Sequence, residues 1–166
     1  DGGVAPLLRS GARAGDELWL TGQVGGSFES GWHLRFEPRI EAGVAAAASG
    51  RVHAAIDLSD GVGRDSARVG CASGVRLEIE AARLPISHRC DDWRTAASAG
   101  EDYELLIAAR PRRPEVDEPP FAAEPPLIGP IGTVRTCREG EPTGATIIDP
   151  HGVEHDAGRL GWDHGA

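Results

Sequence analysis

Two short segments of this sequence concentrate acidic side chains beside apolar runs. The first continues the apolar run that starts at Val52 and reads Ala55-Ile56-Asp57-Leu58-Ser59-Asp60-Gly61. A carboxylate at the end of a core strand is costly to desolvate unless a cation or a hydrogen-bond donor meets it. Carboxylate oxygens are the ligands that Mg²⁺ selects, and protein-bound Mg²⁺ usually accompanies phosphate groups. The segment therefore predicts a site that handles phosphate.

A simpler interpretation of this segment is helix capping. Serine and aspartate are preferred N-cap residues, so Ser59 or Asp60 could simply cap the helix that follows. Capping does not explain the presence of Asp57, because this aspartate lies inside an apolar strand. The sequence therefore favours a site in which Asp57 and Asp60 hold Mg²⁺ and Ser59 touches a phosphate oxygen.

The second acidic segment precedes another apolar strand and reads Gly100-Glu101-Asp102-Tyr103-Glu104-Leu105-Leu106. Acids at the start of a strand are often only solvated, and Gly100 supplies a turn that favours polar neighbours. Alternatively, Tyr103 among the acids could hold the amino and ring groups of a cationic or polar substrate. The residue types alone leave both interpretations open.

Other chemically suggestive residues carry weaker signals. His151-Gly152-Val153-Glu154-His155 has the H-x-x-E-H spacing of some zinc peptidases, but Pro150 and Gly152 predict a hairpin turn instead of the required helix. Gly22-Gln23-Val24-Gly25-Gly26 has the wrong spacing for a dinucleotide turn. Trp162 stands in a glycine-rich tail with Asp163 and His164, where it could be a packed lid or could stack on a heteroaromatic ring. The basic cluster of Arg110, Arg112 and Arg113 is interpreted as solvated.

The elements that must position these residues alternate between strands and helices. Strands are predicted over Asp16 to Gly22, Val52 to Leu58, Val75 to Ile79, Tyr103 to Ala109, Ile128 to Thr136 and Ala145 to Ile148. Helices are predicted over Ile40 to Ser49, Gly61 to Ala72 and Asp91 to Ala99, with a turn over Gln23 to Ser30 and an irregular loop over Pro111 to Pro126. This order predicts an α/β fold of the α+β sandwich type, a mixed β-sheet covered by helices.

Composition narrows the class of protein. The 166 residues are 40% apolar and 26% charged, as in one soluble globular domain. The net charge of −9 argues against a broad nucleic-acid surface, and no apolar run reaches the roughly 20 residues of a membrane helix. Three widely spaced cysteines fit a reduced cytoplasm. The sequence contains no lysine, which excludes a Walker-type phosphate loop and a Schiff-base lysine.

The sequence also predicts how the chain is organised into domains. The chain contains no methionine, even at position 1, so we expect it to be part of a longer translation product. Residues 1–15 are rich in glycine and arginine and are interpreted as a connector, and residues 16–166 as a single domain.

The motifs together resemble the C-terminal half of the thiamine-monophosphate kinase family, over essentially the whole chain. The resemblance rests on five blocks in the same order: Arg9 to Asp16, Leu20-Thr21-Gly22, Asp57-Leu58-Ser59-Asp60-Gly61, Gly100 to Leu106, and Gly161-Trp162-Asp163-His164. The Ser-Asp-Gly strand end is shared with the wider superfamily of aminoimidazole ribonucleotide synthetase and selenophosphate synthetase. The second acidic segment and the tail are more specific to the kinases.

The resemblance implies transfer of the γ-phosphoryl group of ATP to thiamine monophosphate, giving thiamine diphosphate. It implies that Asp57 and Asp60 bind Mg²⁺, that Ser59 contacts ATP phosphate, and that Glu101 and Trp162 contact thiamine monophosphate. It also implies a cytoplasmic homodimer formed through an N-terminal domain that is absent here, so this chain alone is expected to be inactive. Two alternatives are a non-catalytic ligand-binding or regulatory module of the same fold and a sibling ATP-dependent enzyme.

Overall fold

The computed structural model of the chain describes residues 5–112 and 118–162. The strands of this part are β1 Glu17–Leu20, β2 Val52–Asp57, β3 Arg76–Glu80, β4 Leu105–Ala109, β5 Ile128–Arg135, β6 Gly144–Ile148 and β7 Glu154–Asp156. The α-helices are α1 Ser27–Ser30, α2 Ile40–Ala48, α3 Val62–Ser73 and α4 Trp93–Ser98. Single 3-10 turns occupy Trp32–Leu34, Ala81–Arg83 and Ala157–Arg159.

The strands of the described residues form one mixed sheet of seven, in the order β2-β4-β1-β5-β3-β6-β7. Strands β3 and β6 run parallel, and the other neighbours are antiparallel. The mixed sheet covered by helices is the predicted fold, and each predicted strand or helix is found within two residues of its expected bounds.

Two short segments differ from the sequence-based expectation. The predicted turn over Gln23 to Ser30 contains the one-turn helix α1, which ends at Gly31 in the left-handed conformation. The Asp149-Pro150-His151-Gly152 turn is confirmed, and it joins β6 to the short strand β7, where Ile148 pairs with Glu154. His155 therefore lies on a strand, and the peptidase-like spacing is accidental, as the sequence indicated.

The core lies on both faces of the sheet. Successive side chains of β1 point to opposite faces of the sheet. Leu18 and Leu20 therefore pack in the larger hydrophobic cluster, with Val69 of α3 and Ala96 of α4. Trp19 packs in a smaller cluster, on the face that α2 covers. Burial of one such large apolar side chain stabilises the fold by about 1.5–3 kcal/mol. The sheet is thus fixed from both sides, and its strand ends present the acidic segments. No helix in residues 5–112 and 118–162 has the length and apolar character needed to cross a membrane.

Strand β2 forms one edge of the sheet and is less buried than the sequence predicts. Only Val52 and Ala54 are buried, the other residues before Asp57 are partly buried, and Asp57 at its end is exposed. The preceding segment runs beside it, since Ala55 donates its backbone N–H to the Leu8 carbonyl over 3.0 Å. The division into a connector over residues 1–15 and a domain over 16–166 stays a prediction.

Candidate functional site

Backbone hydrogen bonds join the two acidic segments directly. The amide of Leu58 donates to the Glu104 carbonyl over 2.8 Å, and the Tyr103 amide donates to the Leu58 carbonyl over 2.9 Å. The contact needs glycine on both sides. A Cβ on Gly100 would lie 2.6 Å from the Ser59 carbonyl oxygen, and a Cβ on Gly61, whose φ is +102°, would lie 2.8 Å from the Ala99 carbonyl oxygen.

Four of the five predicted site residues line one cavity of about 300 Å³, which we call the front cavity. These residues are Ser59, Asp60, Glu101 and Trp162. Trp162 is fixed there because its backbone N–H donates to the Asp60 carbonyl over 3.0 Å, while its side chain is 63% exposed. The remaining lining residues are Phe28, Gly100 and Tyr103. The front cavity therefore combines two carboxylates, two hydroxyls and three aromatic rings.

Asp57, the fifth predicted residue, does not line the front cavity. It faces an adjoining open cavity of about 550 Å³, which we call the lateral cavity and which Asp65 and Arg68 also line. Ser59 lines both cavities and so marks the boundary between them. The Asp57 carboxylate is exposed and, within the described ranges, makes no ion pair or side-chain hydrogen bond. An exposed carboxylate without a protein partner is open to a ligand or cation.

Asp60 has a different environment from Asp57. Its side chain is buried and forms an ion pair with Arg68, which also donates to Asp65 Oδ1 over 2.7 Å. Asp65 in turn accepts the backbone N–H of Asp60 over 2.9 Å. Burial raises the pKa of Asp65, and repulsion from Asp60 raises it further, while the hydrogen bonds lower it. Arg68 therefore compensates two buried carboxylates at the end of β2.

The second acidic segment directs its side chains to two sides. Glu101 and Tyr103 have positive φ values of 63° and 53°, which are rare for residues other than glycine. Their side chains line the front cavity, whereas Asp102 and Glu104 are buried behind it. The Tyr103 ring stacks on Phe36 with centroids 4.2 Å apart. Burial raises the pKa of the Tyr103 hydroxyl, as do the charges of Glu101 and Asp57.

Several parts of the site lay outside the sequence reasoning. Arg68 was missed, although its position three residues after Asp65 on a helix is a recognisable ion-pair spacing. Phe28 also lines the front cavity without a signal in the sequence. In residues 5–112 and 118–162, no group of three or more histidine, cysteine, aspartate or glutamate side chains could hold a metal ion. Asp163, His164 and Arg113 lie outside the described residues.

Comparison with known proteins places the chain among named relatives. It is 42% identical over 122 residues to the thiamine-monophosphate kinase of Rhodopirellula baltica, covering 68% of this chain and 38% of that protein. The enzymes of Caulobacter vibrioides and Halobacterium salinarum are 31% and 32% identical, covering 96% and 95% of this chain and 51% and 56% of their own length. The chain thus spans about half the length, or less, of these curated relatives. No family model matches it.

Solved structures show the same fold. Thiamine-monophosphate kinase from Stenotrophomonas maltophilia superposes with a TM-score of 0.66 at 24% identity, over 85% of this chain and 52% of that one. AaThiL, solved in complex with AMPPCP and TMP, gives a TM-score of 0.62 at 24% identity over 95% and 54%. The hydrogenase maturation protein HypE, solved with ATP, gives a TM-score of 0.61 at 14% identity, over 90% of this chain and 52% of that one. In sequence and fold, this chain matches a C-terminal portion of the thiamine-monophosphate kinases.

Proposed function

We propose that the protein carrying this chain is an ATP- and Mg²⁺-dependent kinase that phosphorylates thiamine monophosphate to thiamine diphosphate. The main support is the front cavity, where Ser59, Asp60, Glu101 and Trp162 meet although about 100 positions of sequence separate the first from the last. The curated names of the relatives and the AMPPCP and TMP bound by one solved relative support the same reaction. Because the chain spans about half of those proteins, activity requires the rest of the molecule.

In this proposal Asp57 and Asp60 hold Mg²⁺. The exposed, unpaired carboxylate of Asp57 suits a hard cation, and Asp60 supplies a second carboxylate from the same strand end. Magnesium supplies neutralisation of the phosphate charge that develops during phosphoryl transfer. Two carboxylates are fewer than an octahedral ion needs, so phosphate oxygens, water and the absent part of the protein complete its ligands.

Ser59 is proposed to contact an ATP phosphate. Its position at the boundary between the front and lateral cavities lets one hydroxyl face the metal-binding aspartates and the acceptor side together. A hydroxyl donates a hydrogen bond to a phosphate oxygen without adding charge. Its contribution is therefore positioning, which together with charge neutralisation dominates phosphoryl transfer.

Glu101 and Trp162 are proposed to contact thiamine monophosphate. A carboxylate in the front cavity complements the positive thiazolium ring, and the exposed face of Trp162 can stack on a flat heteroaromatic ring. Tyr103 and Phe28 add aromatic walls to the same cavity. The acceptor phosphate is already ionised at neutral pH, so the reaction needs no general base from this chain.

The proposal extends to assembly and location. We infer that an N-terminal domain precedes residue 1, that it completes the nucleotide site and that it forms most of a homodimer interface. The enzyme is expected in the cytoplasm, where ATP is available and cysteines stay reduced.

The test is production of thiamine diphosphate by the full-length protein with ATP, thiamine monophosphate and Mg²⁺. Asp57→Asn is the sharper variant, because the Asp57 side chain is exposed and makes no ion pair or hydrogen bond within the described residues, whereas Asp60 is buried against Arg68. We expect Asp57→Asn to lower kcat at least 100-fold, since a charged metal ligand is lost. Asp91→Asn, also an exposed aspartate, is the matched control and should retain wild-type turnover.

Two outcomes separate the proposal from its alternatives. Binding of ATP and thiamine monophosphate without turnover in the complete protein would favour a non-catalytic module. Turnover that depends on Asp57 but proceeds only with another phosphate acceptor would favour a sibling enzyme of the superfamily.

A further inference from the structure

A second cavity lies behind the segment that lines the front cavity. It has a volume of about 340 Å³, and we call it the rear cavity. Its walls include Trp32, Arg39, Asp102 and Glu104, with the exposed side chains of Gln23 and His88 at the mouth. None of the five residues proposed for the kinase site lines it. The rear cavity is therefore a separate candidate binding site, whose argument does not depend on the proposed kinase function.

The rear cavity owes its acidic wall to the unusual backbone of the second acidic segment. Glu101 and Tyr103 adopt left-handed backbone conformations. The side chains of Asp102 and Glu104, which alternate with them, therefore point away from the front cavity. The side chains of Asp102 and Glu104 become buried, at 2% and 3% exposure. The indole Nε1 of Trp32 donates to the Asp102 carbonyl over 2.8 Å and fixes an aromatic ring in the same wall.

Glu104 is fully compensated in this wall. Arg39 donates to both of its carboxylate oxygens, over 2.7 and 2.8 Å. The Thr21 hydroxyl adds a third hydrogen bond of 2.6 Å. A buried carboxylate with a two-pronged arginine partner has no need of a ligand.

Asp102 is not compensated in the same way. Both of its carboxylate oxygens accept from one donor, the backbone N–H of Gly25, at 3.0 and 3.1 Å. In the described part of the chain, no arginine or histidine forms an ion pair with it. An ionised carboxylate can accept about four hydrogen bonds, so most of this capacity is unused. Burial raises the pKa of Asp102 to about 7, and the charge of Glu104 contributes to the rise, while the Gly25 hydrogen bond opposes it.

The charge of the wall defines what would fit. Two carboxylates and one guanidinium leave a net charge of −1 when Asp102 is ionised. We propose that the rear cavity binds a small planar organic cation of the amidinium or guanidinium type, one N–H group of which donates to an Asp102 carboxylate oxygen beside the Trp32 ring. Such a cation gives Asp102 a positive partner and a charge-assisted hydrogen bond, as Arg39 does for Glu104. A planar group also matches the aromatic wall.

The test measures binding of acetamidinium to the full-length protein at pH 8 and constant ionic strength by titration calorimetry. The NMR signal of the Trp32 indole N–H is followed in the same titration. Acetamide, a neutral molecule of the same size, is the matched probe. We expect saturable binding of acetamidinium, at least 10-fold weaker binding to Asp102→Asn, and unchanged binding to Asp91→Asn and Glu101→Gln. Equal binding of acetamide, or no saturable binding of acetamidinium, overturns the proposal.

A second measurement uses the wild-type protein and so does not depend on the folding of a variant. If Asp102 must be ionised, a pKa of about 7 makes binding roughly 30-fold weaker at pH 5.5 than at pH 8. Among the described residues, the charged or titratable groups that line the rear cavity with Asp102 are Glu104, Arg39 and His88. Protonated His88 would also repel a cation, so the same pH dependence must persist in His88→Gln. Binding that is independent of pH, or that is lost in Glu101→Gln and kept in Asp102→Asn, rules the site out.

Discussion

Asp102 and Glu104 are two residues apart in one buried wall, and they show how the same side-chain charge acquires different energetics. Glu104 meets Arg39 in a two-pronged pair, whereas Asp102 shares a single amide donor between its oxygens. Burial without a cation raises the pKa of a carboxyl group because the charged form loses hydration. Asp102 is thus a local cost to folding at neutral pH, of the kind usually retained for binding.

We predict that Asp102→Asn stabilises the protein at pH 8. The folded-state pKa of Asp102, about 7, lies above its ordinary value of 3.8, so the ionised group lowers stability progressively as pH rises from about 4 to 7. An asparagine can still accept the Gly25 hydrogen bond without the charge. We expect a gain of about 1–2 kcal/mol at pH 8 and almost none at pH 4.5.

Thermal unfolding of the two proteins at both pH values measures this gain. Asp91→Asn is the control, because Asp91 is exposed. A lower melting temperature for Asp102→Asn at pH 8 would mean that the charge of Asp102 is compensated in the folded protein.

A second prediction at the scale of the residue concerns Arg68, which bridges two buried aspartates. Replacement by glutamine removes the cation from Asp60 and Asp65, although Arg68 itself is 38% exposed and partly screened by water. We expect Arg68→Gln to lower the free energy of unfolding by about 1–3 kcal/mol. The matched control is Arg83→Gln, which breaks the exposed pair of Arg83 with Glu80 and should change stability by less than about 0.5 kcal/mol. Similar losses for both variants, measured by urea unfolding, would contradict the bridging role.

At the scale of elements, the position of α3 determines the geometry of the site, since α3 follows the Ser-Asp-Gly turn directly. A Cβ on Gly70 of α3 would overlap the Gly144 carbonyl oxygen of β6. The helix therefore packs on the sheet with no space for a side chain. On the opposite face, a Cβ on Gly43 of α2 would meet only Leu105 Cδ1, at 3.8 Å, an ordinary contact.

These two glycines give a paired prediction. Gly70→Ala must push α3 away from β6, so we expect a loss of about 3 kcal/mol or more, accompanied by loss of the proposed kinase activity in the full-length protein. Gly43→Ala improves helix propensity without a clash, so we expect a gain of about 0.5–1 kcal/mol. Chemical unfolding measures both changes. Equal effects of the two substitutions would refute the close packing of α3 on β6.

The same scale explains what the sequence could predict. Alternating and continuous apolar runs located the strands and the longer helices, because burial of one face determines them. The front cavity was predictable in part, since its residues occur in recognisable blocks. The rear cavity was not predictable, because Asp102 and Glu104 are acidic residues of the same segment as Glu101. Only the left-handed backbone at Glu101 and Tyr103 separates the two faces, and residues other than glycine rarely adopt it.

At the scale of the whole molecule, carboxyl groups of two kinds set opposing trends of stability with pH. Arg135 lowers the pKa of Glu141 to about 2, and His155 lowers that of Asp149 to about 2. Their stabilisation is complete above about pH 4.5 and is lost as pH falls toward 2. Burial instead raises the pKa of Asp65 and of Asp102, whose destabilisation grows as pH rises above about 4.

We therefore predict a maximum of stability on the acidic side of neutrality, between about pH 4.5 and 6. Melting temperatures recorded from pH 2.5 to 9 test this curve. Glu141→Gln and Asp149→Asn should flatten its acid limb, because they remove the groups whose pKa is lowered, and Asp102→Asn should flatten the limb between about pH 4 and 7. A melting temperature that rises continuously from pH 4 to 8 would show that the buried aspartates find compensating cations in the complete protein. That result would also remove the electrostatic basis for a cation site in the rear cavity.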